Sequence, residues 1–123
     1  LSGEPAARSV PDETANPFFQ RLSPSVGTDL VSLQARDHYV EATTANGRDL
    51  VLMRLGDAIE QLSGEREVPG MRVHRSWWVA NAHAERLRRT NGRAFIVLSN
   101  GTEVPVSRGY LAAVRKQLEE AAG

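Results

Sequence analysis

Two short segments of this chain combine residue types that recognise phosphates and base edges. Val73-His74-Arg75-Ser76-Trp77-Trp78-Val79 and Val104-Pro105-Val106-Ser107-Arg108-Gly109-Tyr110 each join a short apolar strand to a polar, arginine-bearing end. Side chains at a strand end point out of the fold, so His74, Arg75 and Arg108 are expected on display. A guanidinium fork matches phosphate oxygens and the paired acceptors of guanine. Arg36-Asp37-His38-Tyr39 is a third polar connection between strand-like runs. It reads either as a groove-entering loop, with Arg36 and His38 as donors and Asp37 orienting one of them, or as a plain turn.

Arg86, Arg88 and Arg89, with Arg72 and Arg93, form the densest basic group. Residues two apart on a strand share a face, so Arg86 and Arg88 are expected to point the same way. Such a row suits phosphate contacts, which fix position without reading sequence; a solvated outer face is the alternative. Catalytic patterns are missing. His83-Ala84-Glu85 has the spacing of a zinc-deaminase motif but lacks its cysteines. His38, His74 and His83 are too far apart in sequence for a paired-ligand site. Asp37-His38 has no nucleophile elbow to serve, and no glycine-rich phosphate loop is present. No enzymatic activity, metal or cofactor is expected.

Charge supports an anionic partner only through its distribution. The chain is neutral overall, yet residues 1–67 carry six basic and eleven acidic side chains, and residues 68–123 carry nine and four. A basic half on a neutral protein fits a polyanion, although a solvated face fits equally well on charge alone. With 123 residues the chain holds one modest core. Cysteine is absent, which removes disulfides and thiolate ligands and fits a reducing compartment. No apolar run approaches the roughly 20 residues of a membrane helix and no signal peptide is present, so a cytoplasmic location is expected. A membrane anchor upstream in the full-length protein would change that expectation. The chain begins at Leu1 rather than Met, which fits a piece of a longer protein, in which any upstream sensor, receiver or membrane segment would lie outside this sequence.

These candidates need a scaffold that presents them together. Residues 1–16 are rich in Pro, Ser, Ala and Glu and are expected to be a disordered tail or linker, with residues 17–123 as the domain. Pro17-Phe18-Phe19 is an anchor that docks on it. Strands are expected from Leu30, over Tyr39–Thr44 and over Asp49–Met53, with Asn46-Gly47 as a hairpin turn. Leu55, Ala58, Ile59 and Leu62 have the spacing of one buried helical face, and Ser63-Gly64 ends that helix. Met71–Val73, Trp77–Ala80, Ala84–Thr90, Ala94–Leu98 and Thr102–Val106 complete the strands, with turns at Asn91-Gly92 and Asn100-Gly101. Trp77 and Trp78 must face opposite sides of their sheet, and one or both belong to the core. A last helix starts at Ser107 or Arg108 and buries Leu111, Val114 and Leu118. The expected class is mostly β, antiparallel, with two helices.

In order and spacing, these segments resemble the LytTR (LytR/AlgR-type) DNA-binding domain of bacterial transcriptional regulators. The resemblance rests on Tyr39-Val40, Leu52-Met53-Arg54-Leu55, Arg72 to Val79 and Val104 to Tyr110, and covers roughly Asp29 to Leu118. It implies an elongated fold of several small antiparallel sheets without a recognition helix. Loops of that family enter successive major grooves of double-stranded DNA, commonly at paired direct repeats, with dimerisation on DNA as a further implication. The contact segments map onto Arg36–Tyr39, His74–Ser76 and Ser107–Gly109. Arg75 and Arg108 then become candidates for base contacts, with His38 third, and Ser76 and Ser107 suit phosphates. Gly109 departs from the family, many of whose members carry a basic or polar residue there. The rival expectation is a protein- or ligand-interaction module of the same fold without DNA binding.

Overall fold

The computed structural model describes residues 17–63 and 68–122; the expected tail over residues 1–16 and the helix-ending Gly64 lie outside them. Alternating apolar residues set the first sheet. β1 (Leu30–Arg36), β2 (Tyr39–Thr44), β3 (Gly47–Leu52), β4 (Gly70–His74) and β5 (Trp77–Ala80) form an antiparallel sheet in the order β3-β2-β1-β5-β4. A second, three-stranded antiparallel sheet holds β6 (Ala84–Thr90), β7 (Arg93–Leu98) and β8 (Glu103–Val106) in sequence order. Helix α1 (Leu55–Leu62) follows β3, and α2 (Arg108–Ala122) follows β8. The domain is therefore mostly β with two helices, as its patterning implies.

The centre of the five-stranded sheet, β1 and β5, is buried on both faces. Leu33, Val40, Ala42, Val51 and Trp78 face a first core, closed by Leu55, Ala58 and Leu62 of α1 and, before β1, by Phe18 and Val26 of two 3-10 turns and Leu22 between them. Val31, Val73 and Val79 face a second core built with Ile96, Leu98, Val104 and Val106 of the second sheet and Val114 of α2. Trp78 belongs to the first core and Trp77 packs against the second, as strand alternation requires. Leu50, Leu52 and Tyr39 remain exposed around the β2–β3 edge.

Two turns differ in character. Asn91 and Gly92 both have positive φ, 52° and 78°, the hairpin geometry that their sequence signals. At the β2–β3 hairpin, Thr44 pairs with Gly47, so the turn residues are Ala45 and Asn46 and Gly47 already belongs to the strand. That is one residue earlier than Asn46-Gly47 suggests. The Thr44 hydroxyl accepts from the Asn46 amide and donates to the Val26 carbonyl, which anchors the turn at Thr44.

Gly70 is required by packing. A Cβ placed there would lie 2.0 Å from Trp78 Cζ2 and 2.5 Å from Cε2, inside the indole ring. Gly70→Ala is expected to destabilise the domain by about 1–3 kcal/mol, the usual cost of overpacking. Urea denaturation checks this, and an unchanged midpoint would mean that the indole moves aside freely.

The sheets are also tied by polar contacts. His83 Nε2 lies 2.7 Å from Asp29 Oδ1, just before β1, and Nδ1 lies 2.5 Å from Ser99 Oγ, just after β7. The Ser99 amide donates to the His83 carbonyl at 2.9 Å. The lone His-x-Glu histidine thus serves as a clasp between the two sheets.

Candidate nucleic-acid interface

Antiparallel pairing brings the three polar segments to one end of the molecule. Arg36 pairs with Tyr39, leaving Asp37 and His38 as the turn, with Asp37 at a φ of 56°. His74 pairs with Trp77, leaving Arg75 and Ser76 as the next turn. Because Gln34 pairs with Trp77, both turns leave the same end of the sheet, and the Ala35 amide donates to the Ser76 carbonyl at 2.8 Å. The third segment comes from the other sheet. The β4–β5 register shifts between Arg72 and His74, and the Val73 carbonyl accepts the Ser107 amide at 3.0 Å. One bulge thereby docks the start of α2 beside the Arg75 turn.

Arg75, Arg108, Gly109, Asp37 and His38 are exposed at this end, Tyr39 is 44% exposed, and His74, Ser76 and Ser107 are half-buried. Arg36 is exposed but engaged: its Nη1 donates to Glu41 Oε1 at 3.0 Å, and Arg48 approaches the other Glu41 oxygen at 3.4 Å. Arg72 folds back onto the second turn, donating from Nη2 to the Arg75 carbonyl at 2.6 Å.

The remaining arginines divide. Arg89, Arg93 and Arg108 line one cleft of about 510 Å3 together with His74 and Ser107. Arg86 and Arg88 do not line that cleft; their cross-strand neighbours on β7 are Val97 and Phe95. Arg88 donates to both Glu103 oxygens at 3.0 and 2.7 Å and lies 5.8 Å from the Phe95 ring centroid. Hydrogen bonding to Glu103, and then its charge, hold Arg88 more firmly protonated; the same hydrogen bonds lower the Glu103 carboxyl below its ordinary range. Arg21 and Arg54 were not singled out by the sequence, yet they line a second cleft with Asp37 and His38. For Arg54 a signal existed, since it lies inside the Leu52-Met53-Arg54-Leu55 segment. Asp57 and Glu60 share that cleft, so its charge is mixed, unlike the arginine-rich cleft beside α2.

Among the described residues no group of three or more His, Cys, Asp or Glu side chains is arranged to hold a metal ion, and no helix is long and apolar enough to cross a membrane. An antiparallel β scaffold with three linked, arginine-bearing loops on one end defines a loop-presenting binding domain. The family model of the LytTr DNA-binding domain matches residues 27–119, and the chain belongs to that family. It is a DNA-binding domain of transcriptional regulators, in a non-enzymatic family.

The chain is 45% identical over 60 residues to the transcriptional regulatory protein BtsR of Escherichia coli strain K12, and equally to BtsR of Shigella flexneri. Each match covers 48% of this chain and 23% of the relative, so it spans under a quarter of those proteins. Among solved structures, a LytTr DNA-binding domain from Bacillus cereus superposes with a TM-score of 0.61 at 25% identity, covering 73% of this chain and 81% of that one.

Proposed function

We propose that this domain reads specific sequences in double-stranded DNA by inserting its three loops into the major groove, and that it serves transcription regulation. The observation that carries the reading is the hydrogen-bonded junction of the loops, Ala35 to Ser76 and Ser107 to Val73, with Arg75 and Arg108 exposed beside it. Arg75 and Arg108 take base edges, with His38 as a third base contact. Arg36, Asp37, Tyr39, His74, Ser76, Ser107 and Gly109 shape the contact loops, and the two serine hydroxyls suit phosphates. Family membership favours paired direct repeats, occupied by two copies on DNA. A cytoplasmic location and an upstream sensory or receiver segment belong to the same reading.

Phosphate grip comes mainly from Arg89 and Arg93, which adjoin Arg108 in an arginine-rich cleft. Arg86 and Arg88 contribute less, since neither lines that cleft and Arg88 is paired with Glu103. Arg89→Ala or Arg93→Ala is expected to weaken every duplex alike and to reduce the slope of log affinity against log salt by about 1 each. Arg88→Ala is expected to leave that slope closer to its original value. Fluorescence anisotropy over a salt series separates the two outcomes.

The deciding experiment is binding to random duplexes at two salt concentrations, with sequencing of the bound fraction. A repeated short motif with a steep salt slope supports the reading. Salt-sensitive binding without an enriched motif would reduce the arginines to phosphate holders. Absence of binding would favour an interaction module of the same fold.

A further inference from the structure

Arg72 sits on β4 just ahead of the Arg75–Ser76 turn, and its guanidinium bends back onto that turn. Nη2 donates to the Arg75 carbonyl at 2.6 Å, and Nε donates to the His74 carbonyl at 3.4 Å. From the other side, the Ser76 amide donates to His74 Nδ1 at 3.1 Å. With Nδ1 accepting this bond, Nε2 is left as the ring's donor. The register shift between Arg72 and His74 interrupts the regular strand ladder here, and these side-chain bonds stand in its place. Backbone bonds from Ala35 to Ser76 and from Ser107 to Val73 fix the turn's flanks.

We propose that Arg72 and His74 are positioning residues that hold the Arg75–Ser76 turn in its reading conformation, with the Arg72 guanidinium committed to turn carbonyls instead of a DNA phosphate. The proposal rests on the reading of Arg75 as a base contact. Its chemistry is that of a planar fork whose donors have fixed relative directions. Lysine keeps the charge but offers a single rotatable ammonium, which cannot span the two carbonyls in the same way. Charge and bracing therefore separate in one substitution.

The test compares Arg72→Lys, Arg72→Ala, Arg75→Ala and the Arg72→Ala/Arg75→Ala double variant on a selected duplex and on its single-base variants. Arg75→Ala is expected to lose about 5- to 150-fold of discrimination at one base position. Arg72→Lys and Arg72→Ala are both expected to lose discrimination at that same position, with the salt slope of Arg72→Lys unchanged. The double variant is expected within about 2-fold of Arg75→Ala, because both substitutions remove one function. If Arg72→Lys binds like the parent while Arg72→Ala lowers the salt slope by about 1, Arg72 is a phosphate contact and the proposal is overturned.

A second readout needs no DNA. Imidazole nitrogen shifts of His74 and amide exchange of Ser76, followed by NMR, are expected to report loss of the Nδ1 bond and faster exchange in Arg72→Ala. Unchanged spectra would overturn the bracing role whatever the DNA data say. A loosened turn combined with an Arg75→Ala variant of unaltered site preference would support the bracing and remove Arg75 from base reading.

Discussion

Truncating Arg75 to alanine is expected to relax base preference at a single position of the DNA site, at a cost of about 1–3 kcal/mol. Arg75 is the exposed residue of its turn, between half-buried His74 and Ser76. Among the described residues its guanidinium makes no hydrogen bond or ion pair, whereas Arg36 and Arg88 are paired with Glu41 and Glu103. An unpaired, exposed fork at the centre of three loops can lose its interaction with a base without disturbing the fold. The variant should therefore melt like the parent. Selection and sequencing of bound duplexes checks the result; an unaltered preference would assign base reading to Arg108 and His38 instead.

Phe18→Ala is expected to have the largest effect on folding, about 3–5 kcal/mol. Phe18 is fully buried in the first core and meets Phe19 edge to face, with centroids 6.0 Å apart. Its 3-10 turn, Pro17–Arg21, packs against α1 and precedes the region matched by the family model. Loss of this ring leaves a cavity between the turn, the sheet and the helix. Total stabilities of small domains are about 5–15 kcal/mol, so the change is a large fraction of the whole. Urea unfolding measures it. A loss below about 0.5 kcal/mol would mean that residues 17–26 detach without unfolding the sheet.

Local periodicity carried much of this fold. Leu55, Ala58, Ile59 and Leu62 mark α1, Ala94–Leu98 marks a strand, and Asn91-Gly92 marks its turn, because each signal lies within one element. The pairing of β1 with β5 was not legible, since it joins residues such as Leu33 and Trp78 across more than one intervening element. Nor was the need for Gly70, which depends on where the Trp78 ring falls across the strand pair. At the site, residue type and strand-end position sufficed to nominate Arg75 and Arg108. The internal bonds of Arg72 and the pairing of Arg88 with Glu103 arise from register and a bulge, which composition does not record.

The Val73 bulge makes the Arg75 turn and the start of α2 parts of one rigid caliper. Their separation is set by a backbone bond between two sheets, so it belongs to the protein and does not adapt to the DNA. Inserting one base pair between the positions proposed for Arg75 and Arg108 would rotate one of them away by roughly a tenth of a helical turn. With that bond tying the two tips together, the two contacts should be lost as alternatives, one or the other, and never stretched to keep both.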